Sequence, residues 1–507
     1  DTRMSFRFFS PPRDMKKEIR DLTGKPADFW CQRGDAMALR LFQYACKTTS
    51  AYRQFLNKYK VKTKNIRTIG DFKKLPLTDK TTYLRSFPYR DLFPDSDMSH
   101  ITTISATSGS TGEPFYFPRG EEQDWQSEYV AEIFLRNQFD IHNKKSLVII
   151  GFGMGIWIGG ILTYKYFNQL ARKGYHLSVA PAGTNIELCL KTVKQFAHLY
   201  DQVILIGYPP FIKDVIDEGP AHGVSWKKHR IKILTAAEGY SEQFRAYLTR
   251  HAGIKNPLTD TINIYGSVEL GTMAHETALT NLIRGYLAKD LDLRRTILPH
   301  SHDLPTLAQY HPDIVYFEEV DGEVVASGLG SAMPLIRYRF ADRGGVVPFD
   351  DMVRMLKEHG IDIVLEARKR GIASAVMRLP FVYVGERVDL ALVVRGANIY
   401  PDEIKTALQH KSLEKFVTGK FTMIKKEDKQ LNEYFEINVE LKKGLRPQGL
   451  LAGDIQKVVV ETLRKINSEY SDQYQSVPKI MTPPIILWAF QDNLYFKVGT
   501  KQKWIKK

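Results

Sequence analysis

The chain has 507 residues, of which 43% are hydrophobic and 25% are charged. This composition excludes a disordered or fibrous chain, and the length predicts more than one domain. The formal net charge is +15, yet acidic and basic residues are interleaved and no nucleic-acid-binding motif accompanies them. We therefore expect attraction of small anionic ligands and no nucleic-acid partner.

The three cysteines and the first twenty residues bear on location. The cysteines include no close pair, which predicts no disulfide framework and a reducing compartment. The first twenty residues are charged and lack the apolar run typical of a secretory signal. We expect a cytoplasmic protein.

The predicted elements begin with polar helices. Apolar spacing over residues 36–59 predicts one amphipathic helix. From about residue 100, short apolar runs alternate with glycine turns and helical stretches. Strands are predicted at 147–150, 177–180, 203–206, 231–234 and 262–265, and helices at 186–200, 211–217 and 241–251. This alternation predicts an α/β domain with a largely parallel sheet.

Residues 146–164 contain no charge over about the length that spans a bilayer. The segment holds five glycines, which follow a short β-branched run. This order favours a buried strand, a glycine turn and the start of a buried helix over one continuous helix. We expect no membrane span.

Later segments predict a hairpin and a separate C-terminal unit. Two β-type runs flank Asp321-Gly322, which is a strong hairpin signal. Residues 352–370 are predicted to be a charged surface helix or insertion. The last ~120 residues have the size of a small domain, with a strand at 434–441, a helix at 452–470 and a strand at 485–490.

The segment richest in hydroxyl groups and glycines is TSGSTGEP, residues 107–114. Small residues let backbone N–H groups converge into an anion-binding nest, and hydroxyls add donors to phosphate oxygens. The Gly-Lys-Ser/Thr of a Walker A loop is missing, and a predicted strand follows instead of a helix. The pattern alone fits a phosphate loop between two strands and an ordinary polar hairpin turn equally well.

Several segments together resemble the acyl-adenylate-forming superfamily, which includes acyl-CoA synthetases. Residues 107–114 resemble its phosphate loop, and further segments follow in the family's order. They are Tyr265-Gly266-Ser267-Val268-Glu269, residues 334–342 ending in Asp342, Arg387-Val388-Asp389, residues 395–401 and Lys501. Residues 334–339, 395–401, 206–210 and 236–241 are similar to the phenylacetate–CoA ligase-like branch.

The resemblance implies a fold and a reaction. The fold is a large N-terminal α/β domain, residues 1–387, with a small mobile C-terminal α+β domain, residues 388–507. The reaction joins a carboxylic acid to ATP with Mg²⁺ as cofactor, giving an acyl-adenylate and pyrophosphate. Coenzyme A then takes the acyl group. Transfer to the thiol of a carrier or partner protein and a non-catalytic nucleotide-binding scaffold are the alternatives, and a homodimer is possible.

The resemblance also implies a role for each matching residue. The phosphate loop would hold the ATP phosphates, Glu269 would bind Mg²⁺, Asp342 the ribose diol, and Lys501 would bridge the acid and the α-phosphate. Asp389 would be the hinge between the domains. The implied nucleotide-binding residues are Thr107, Ser108, Gly109, Ser110, Thr111, Gly112, Ala237, Glu238, Gly239, Tyr265, Gly266, Ser267, Asp342 and Arg387, and the implied catalytic residues are Lys501, Glu269 and Arg387. Gly159, Gly160 and Tyr164 are expected to line the acid pocket.

The sequence departs from the family pattern at three positions. Val268 replaces a threonine, Leu390 replaces a second acidic residue, and Thr500 separates Gly499 from Lys501. Segments 280–312 and 350–380 are divergent or inserted. A possible metal cluster, His300, His302, Asp303 and His311, lacks a wider ligand set, so solvated loop histidines are favoured.

Overall fold

The protein is represented by a computed structural model. It describes residues 7–506 apart from 107–114, 157, 302–303, 388–390, 409, 493 and 497–503. For residues 386, 387, 402 and 506 the description covers the backbone alone. The predicted phosphate loop, Asp389, Lys501, His302 and Asp303 therefore lie outside the described residues.

The helices and strands alternate through the middle of the chain. The helices are α1 (Met15–Gly24), α2 (Ala27–Thr48), α3 (Ser50–Lys58), α4 (Ile69–Phe72), α5 (Glu121–Phe139), α6 (Ile158–Arg172), α7 (Ile186–Phe196), α8 (Pro209–Glu218), α9 (Glu242–His251), α10 (Pro257–Asp260), α11 (Ala278–Leu287), α12 (Leu291–Ile297), α13 (Phe349–Glu358), α14 (Ile363–Lys369), α15 (Pro401–Leu408), α16 (Gly449–Ile466), α17 (Ser468–Ser476) and α18 (Pro478–Met481).

The strands are β1 (Ile101–Ala106), β2 (Tyr116–Gly120), β3 (Ser146–Gly151), β4 (Leu177–Ala180), β5 (Gln202–Gly207), β6 (Ile231–Ala236), β7 (Thr261–Ser267), β8 (Gly271–His275), β9 (Thr306–Gln309), β10 (Val315–Val320), β11 (Glu323–Gly328), β12 (Leu335–Val347), β13 (Phe381–Arg387), β14 (Leu392–Val394), β15 (Ala397–Ile399), β16 (Val417–Glu427), β17 (Glu433–Leu441), β18 (Ile485–Trp488) and β19 (Ile505–Lys506).

An eleven-stranded sheet forms the centre of the large region, in the order β10-β11-β12-β13-β9-β8-β7-β6-β5-β3-β4. Strands β4, β3, β5, β6 and β7 are parallel to one another. From β7 to β10 every neighbouring pair is antiparallel. The α/β class is confirmed, but the prediction of a largely parallel sheet is wrong because it holds for one half only.

Alternate residues of the parallel strands face two different apolar cores. Val148, Ile150, Ile204 and Ile206 pack in a core with α5 and α6. Their neighbours, residues 147, 149, 203 and 205, pack in another core with α7, α8 and α9. Both faces of these strands are covered, which is why their sequences are continuous apolar runs. The layers are helix, sheet, helix.

Several predicted elements are confirmed, and three predicted single elements are divided. The strands near 147, 177, 203, 231 and 262 and the hairpin at Asp321-Gly322 are all present, the latter with φ of 53° and 77°. The helix predicted at 36–59 is interrupted at Thr49, and the one at 452–470 at Asn467. Residues 352–370 form parts of α13 and α14, which bury Met352, Leu356 and Ile363 and are more than a surface insertion.

The uncharged segment at 146–164 is divided between β3 and α6, as predicted. A turn separates the strand from the helix. Among the described residues, no helix meets the length and hydropathy needed to cross a bilayer.

The C-terminal region, residues 391–506, has its own sheet and its own core. Strands β18, β17, β16 and β19 form a four-stranded sheet. Its apolar cluster includes Phe421, Phe435 and Leu463, and it draws only on residues of this region. The division of the chain at residue 387 stays a prediction.

Two histidines are buried in the main core, and their burial predicts that the stability of the fold decreases at low pH. His275 and His311 have ring centroids 5.9 Å apart and are almost fully buried. The expectation that His311 is a solvated loop residue is therefore wrong. Burial lowers the pKa of His275 to about 4, and burial also lowers the pKa of His311. Because the unfolded chain binds these protons first, the stabilisation is complete above pH ~6.5 and is lost as the pH falls.

We expect the free energy of unfolding to fall by about 3 kcal/mol through His275 alone between pH 7 and pH 4. Urea unfolding at stepped pH measures this fall. His275→Leu should reduce the slope of stability against pH in that window, whereas His359→Asn, which removes an exposed histidine, serves as the control. An unchanged slope in the His275 variant would refute the account.

Candidate functional site

One large cavity, of about 1190 Å³, collects most of the described candidate residues. It lies at the carboxyl ends of β6 and β7, which is where open α/β sheets bind ligands. Its lining includes Ala237, Glu238, Gly239, Tyr265, Gly266, Ser267, Glu269 and Asp342. Residues separated by more than a hundred positions in the sequence therefore share one site.

The turn after β6 is held in an unusual backbone conformation. Ala237 has φ of 74°, which is uncommon for a residue with a side chain and is often found at functional sites. The Asn263 side chain, on the neighbouring strand β7, donates to the Glu238 carbonyl oxygen at 3.0 Å. Asn263 thus fixes the turn, and sequence reasoning missed it, although a polar residue in an apolar strand was a signal.

Tyr265 and Asp342 also line the cavity and contact each other. The Tyr265 hydroxyl donates to Asp342 Oδ2 at 2.7 Å, and the Asp342 residue is 9% exposed. The Tyr265 ring lies near the Phe317 ring, with centroids 6.2 Å apart and planes 29° apart. Arg387 is the partner of Asp342 in the ladder between β12 and β13, so the backbone places these two residues side by side.

Arg339 lies three positions before Asp342 on β12, and its guanidinium pairs with Glu323 on the neighbouring strand.

Glu269 lies in the same cavity beside a buried cation. The Tyr338 hydroxyl donates to Glu269 Oε1 at 3.4 Å. Arg119 is 2% exposed and donates from Nη1 to the Val268 carbonyl oxygen at 3.4 Å. Burial lowers the pKa of Arg119 to about 10, although Asp124 and Glu269 act in the opposite direction. Because Arg119 belongs to β2, the hairpin that carries the predicted phosphate loop packs against the Glu269 segment.

The carboxylate of Glu269 suits Mg²⁺. Magnesium is usually held by one or two carboxylates together with substrate phosphates and waters, and a complete protein cage is not needed. The described residues include no cluster of three or more His, Cys, Asp or Glu side chains suited to a metal. Glu269 is one of several carboxylates that line this wide cavity, and it fits an ion that arrives with a nucleotide.

An apolar part of the cavity lies along α6. Ile158, Gly159, Leu162 and Tyr166 line it together with Phe152. Tyr164 lies elsewhere, in a shallow groove on the outer face of α6, and is 38% exposed. Gly159 therefore lines the cavity and Tyr164 does not, whereas the position of an acid pocket stays a prediction. A side chain at Gly160 would meet the Gly153 carbonyl oxygen at 2.3 Å, so this glycine allows α6 to approach the turn.

The C-terminal region also contributes to the cavity. Gly396, Asn398, Lys425 and Ile505 are part of its lining. Gly396 and Asn398 belong to the segment 395–401 that resembles the family, but none of the four was assigned to the site, because their approach depends on how two distant parts of the chain pack.

A buried ionic network contacts the strand that carries Asn263. The Glu276 carboxylate accepts from Arg245 at 2.6 Å and pairs with Arg284 at 3.4 Å. It also accepts from the Asn263 backbone N–H at 2.8 Å. All four residues are at most 3% exposed. The network therefore connects α9 and α11 to the strand that carries Asn263.

Comparisons with known proteins found two similar sequences and solved structures of similar fold. No family model matches the chain. It is 22% identical over 374 residues to the phenylacetate–coenzyme A ligase of Escherichia coli, covering 72% of both chains. It is 22% identical over 373 residues to the phenylacetate–coenzyme A ligase of Thermus thermophilus, covering 73% of both.

Solved structures show the same fold over the whole length. A crystal structure of 2-hydroxyisobutyryl-CoA ligase in complex with 2-HIB-AMP and CoA matches with a TM-score of 0.64 and 15% identity, covering 100% of this chain and 95% of that chain. The fold is that of the acyl-adenylate-forming enzymes. Within them, the resemblance to the phenylacetate–CoA ligase-like branch is confirmed by the sequence relatives.

Proposed function

We propose that the protein is an AMP-forming acid–thiol ligase. A carboxylate oxygen of the acid attacks the α-phosphorus of ATP, and pyrophosphate leaves. The sulfur of coenzyme A then attacks the acyl carbon, and AMP leaves. The observation that carries this proposal is the convergence of residues 237–239, Tyr265, Glu269 and Asp342 on one cavity, in a chain similar to two CoA ligases.

Each described residue has a role that its surroundings support. Residues 237–239 would line the adenine pocket, and their strained turn is held by Asn263. Asp342 would accept two hydrogen bonds from the ribose diol, and the Tyr265 hydroxyl orients its carboxylate. Arg387 would contact the ribose or the α-phosphate. The apolar surface along α6 would hold the acid.

Magnesium would be held by Glu269 and the ATP phosphates. The ion, when bound, would neutralise charge that develops on the phosphates during displacement. The hydroxyls and backbone of residues 107–112 would grip the β- and γ-phosphates.

Two further assignments concern the C-terminal region. We propose that residues 388–507 are a mobile domain that rotates at Asp389 between the two half reactions. In one orientation Lys501 would bridge the acid carboxylate and the α-phosphate, and so stabilise the charged transition state. Both residues belong to the motifs similar to the family.

The proposal is tested by product formation. The purified protein is incubated with ATP, Mg²⁺, coenzyme A and a panel of aromatic and aliphatic acids, and acyl-CoA and AMP are measured by mass spectrometry. We expect equal amounts of the two products with at least one acid. Lys501→Ala should slow their formation about 100-fold, and Lys429→Ala, at an exposed position, is the control. Equal rates for Lys501→Ala and the unsubstituted chain would remove that lysine from the mechanism.

The alternatives differ in what the test produces. AMP and pyrophosphate without acyl-CoA would favour a carrier or partner protein thiol as acceptor. Neither product with any acid would favour a non-catalytic scaffold. A cytoplasmic location and a homodimer stay predictions.

A further inference from the structure

A buried carboxylate connects the cavity to the C-terminal region. Glu238, in the turn after β6, is 8% exposed. Its Oε1 accepts a hydrogen bond from the Gly396 backbone N–H, and its Oε2 lies 3.7 Å from Lys425 Nζ. The two partners come from separate parts of the C-terminal region, the turn between β14 and β15 and strand β16. One side chain thus holds two points of that region.

The backbone approaches so closely because residue 396 is glycine. Its φ is 82°, a conformation that side chains disfavour. A Cβ atom there would lie 2.5 Å from Cε1 of Tyr208, which precedes α8. The glycine therefore lets the backbone pass the Tyr208 ring and contact Glu238.

Lys425 also pairs with a carboxylate of its own region. Lys425 Nζ also lies 2.8 Å from Glu433 Oε2 on β17. Burial lowers the pKa of Lys425, but the carboxylates of Glu433 and Glu238 more than offset this, and the pKa is raised overall. The lysine is thus charged at neutral pH and can hold a carboxylate from each region.

Two further contacts join the same surfaces. Arg395, which is 1% exposed, pairs with Asp214 on α8. Lys213 Nζ donates to Asn432 Oδ1 at 2.7 Å. These contacts would be broken if the C-terminal region rotated away, so they favour the orientation seen here.

We propose that Glu238 is a positioning residue that docks the C-terminal region in this orientation through Gly396 and Lys425. The orientation serves one of the two half reactions, so weakening the contact changes their rates unequally. The choice of half reactions rests on the proposed function, whereas the docking contact itself does not. A buried charge-assisted contact between regions is suited to such a two-state arrangement because it is made in one state and lost in the other.

The direct test is a distance measurement that needs no activity. Spin labels are placed at Lys191→Cys on α7 and Asp454→Cys on α16, which are both exposed positions. The unsubstituted chain, labelled in parallel, shows whether the three native cysteines react. We expect Lys425→Met to shift the populations of the two distances about tenfold relative to the parent, because the buried ion pair with Glu238 is lost. Lys420→Met, on the same strand and paired with Glu440 of its own region, should leave them unchanged.

The kinetic test compares the half reactions. Exchange of pyrophosphate into ATP reports adenylation, and single-turnover acyl transfer from preformed adenylate to coenzyme A reports thiol transfer. We expect the ratio of the two rates to change about tenfold in Lys425→Met. Glu238→Gln, which keeps the shape of the side chain, should shift the distance populations in the same direction.

The outcomes separate the two proposals. Unchanged distances in both variants would overturn the docking role, and equal changes in both half reactions would overturn the link between this orientation and one half reaction. A shifted distance in a chain that shows no exchange would support docking and refute the proposed reaction. Thermal unfolding of each variant shows whether the C-terminal region is still folded.

Discussion

Asp342→Ala is expected to slow acid-dependent adenylation about 1,000-fold, measured as kcat/KM for ATP. The substitution would remove the carboxylate and with it two charge-assisted hydrogen bonds to the ribose, each contributing roughly 1.5–3 kcal/mol. The structure supports a large effect because the side chain is almost fully buried and already oriented by the Tyr265 hydroxyl at 2.7 Å. An unoriented surface carboxylate would lose far less.

Three variants make this prediction sharper. Tyr265→Phe removes only the orienting hydroxyl and should slow the reaction about tenfold, the effect of one hydrogen bond. Asp351→Asn, a half-exposed residue paired with Arg354, should leave the rate unchanged. Asp342→Asn keeps the shape and should lie between Asp342→Ala and the parent. A less than fivefold loss in Asp342→Ala, with the fold intact, would remove this residue from the nucleotide site.

Glu276→Gln is expected to lower the free energy of unfolding by about 3–5 kcal/mol. Removing one partner from a buried ionic network leaves charges that water cannot reach. Arg245 and Arg284 would both lose their buried carboxylate while remaining 3% and 0% exposed. Arg284 would still pair with Glu242 at 2.9 Å, so the loss should be large but not complete.

Urea unfolding measures this loss. Glu358→Gln, at an exposed position paired with Arg354, should change the free energy of unfolding by less than about 0.5 kcal/mol. Activity should also fall in Glu276→Gln below its unfolding transition, because Glu276 holds the Asn263 backbone and Asn263 holds the turn at Glu238. A loss of stability no larger than that of the surface control would show that the network is dispensable.

The parallel half of the sheet was predictable from local sequence, and the antiparallel half was not. Strands buried on both faces have continuous apolar sequences, such as residues 147–150 and 203–206. Strands β9 and β13 pair across more than seventy residues, and nothing local specifies that pairing. The hairpin at Asp321-Gly322 was visible because its turn needs those residues.

Helix boundaries also differ in whether the local sequence predicts them. The break at Asn467 has a local signal, because its side chain accepts from the Tyr470 N–H and begins a new helix. The break at Thr49 has none, because Thr49 forms an antiparallel bridge with Pro94. A contact between distant residues decides that boundary.

Motifs located part of the site, and packing supplied the remainder. Tyr265, Glu269 and Asp342 belong to recognisable segments, and the structure brings them to one cavity. Asn263, Gly396 and Lys425 contribute to the same cavity, and all three contact Glu238. Glu238 is 25 positions from Asn263 and 158 positions from Gly396 in the chain, and Lys425 is farther still. Spacing along a sequence cannot show such contacts.

We propose above all that this cavity joins a carboxylic acid to the α-phosphate of ATP. Acid-dependent exchange of labelled pyrophosphate into ATP, without any thiol, measures that step alone. We predict exchange with Mg²⁺ and at least one acid of the panel, and none when the acid or the metal is omitted. Full thioester formation in a protein that never exchanges pyrophosphate, or exchange that does not depend on an acid, would contradict it.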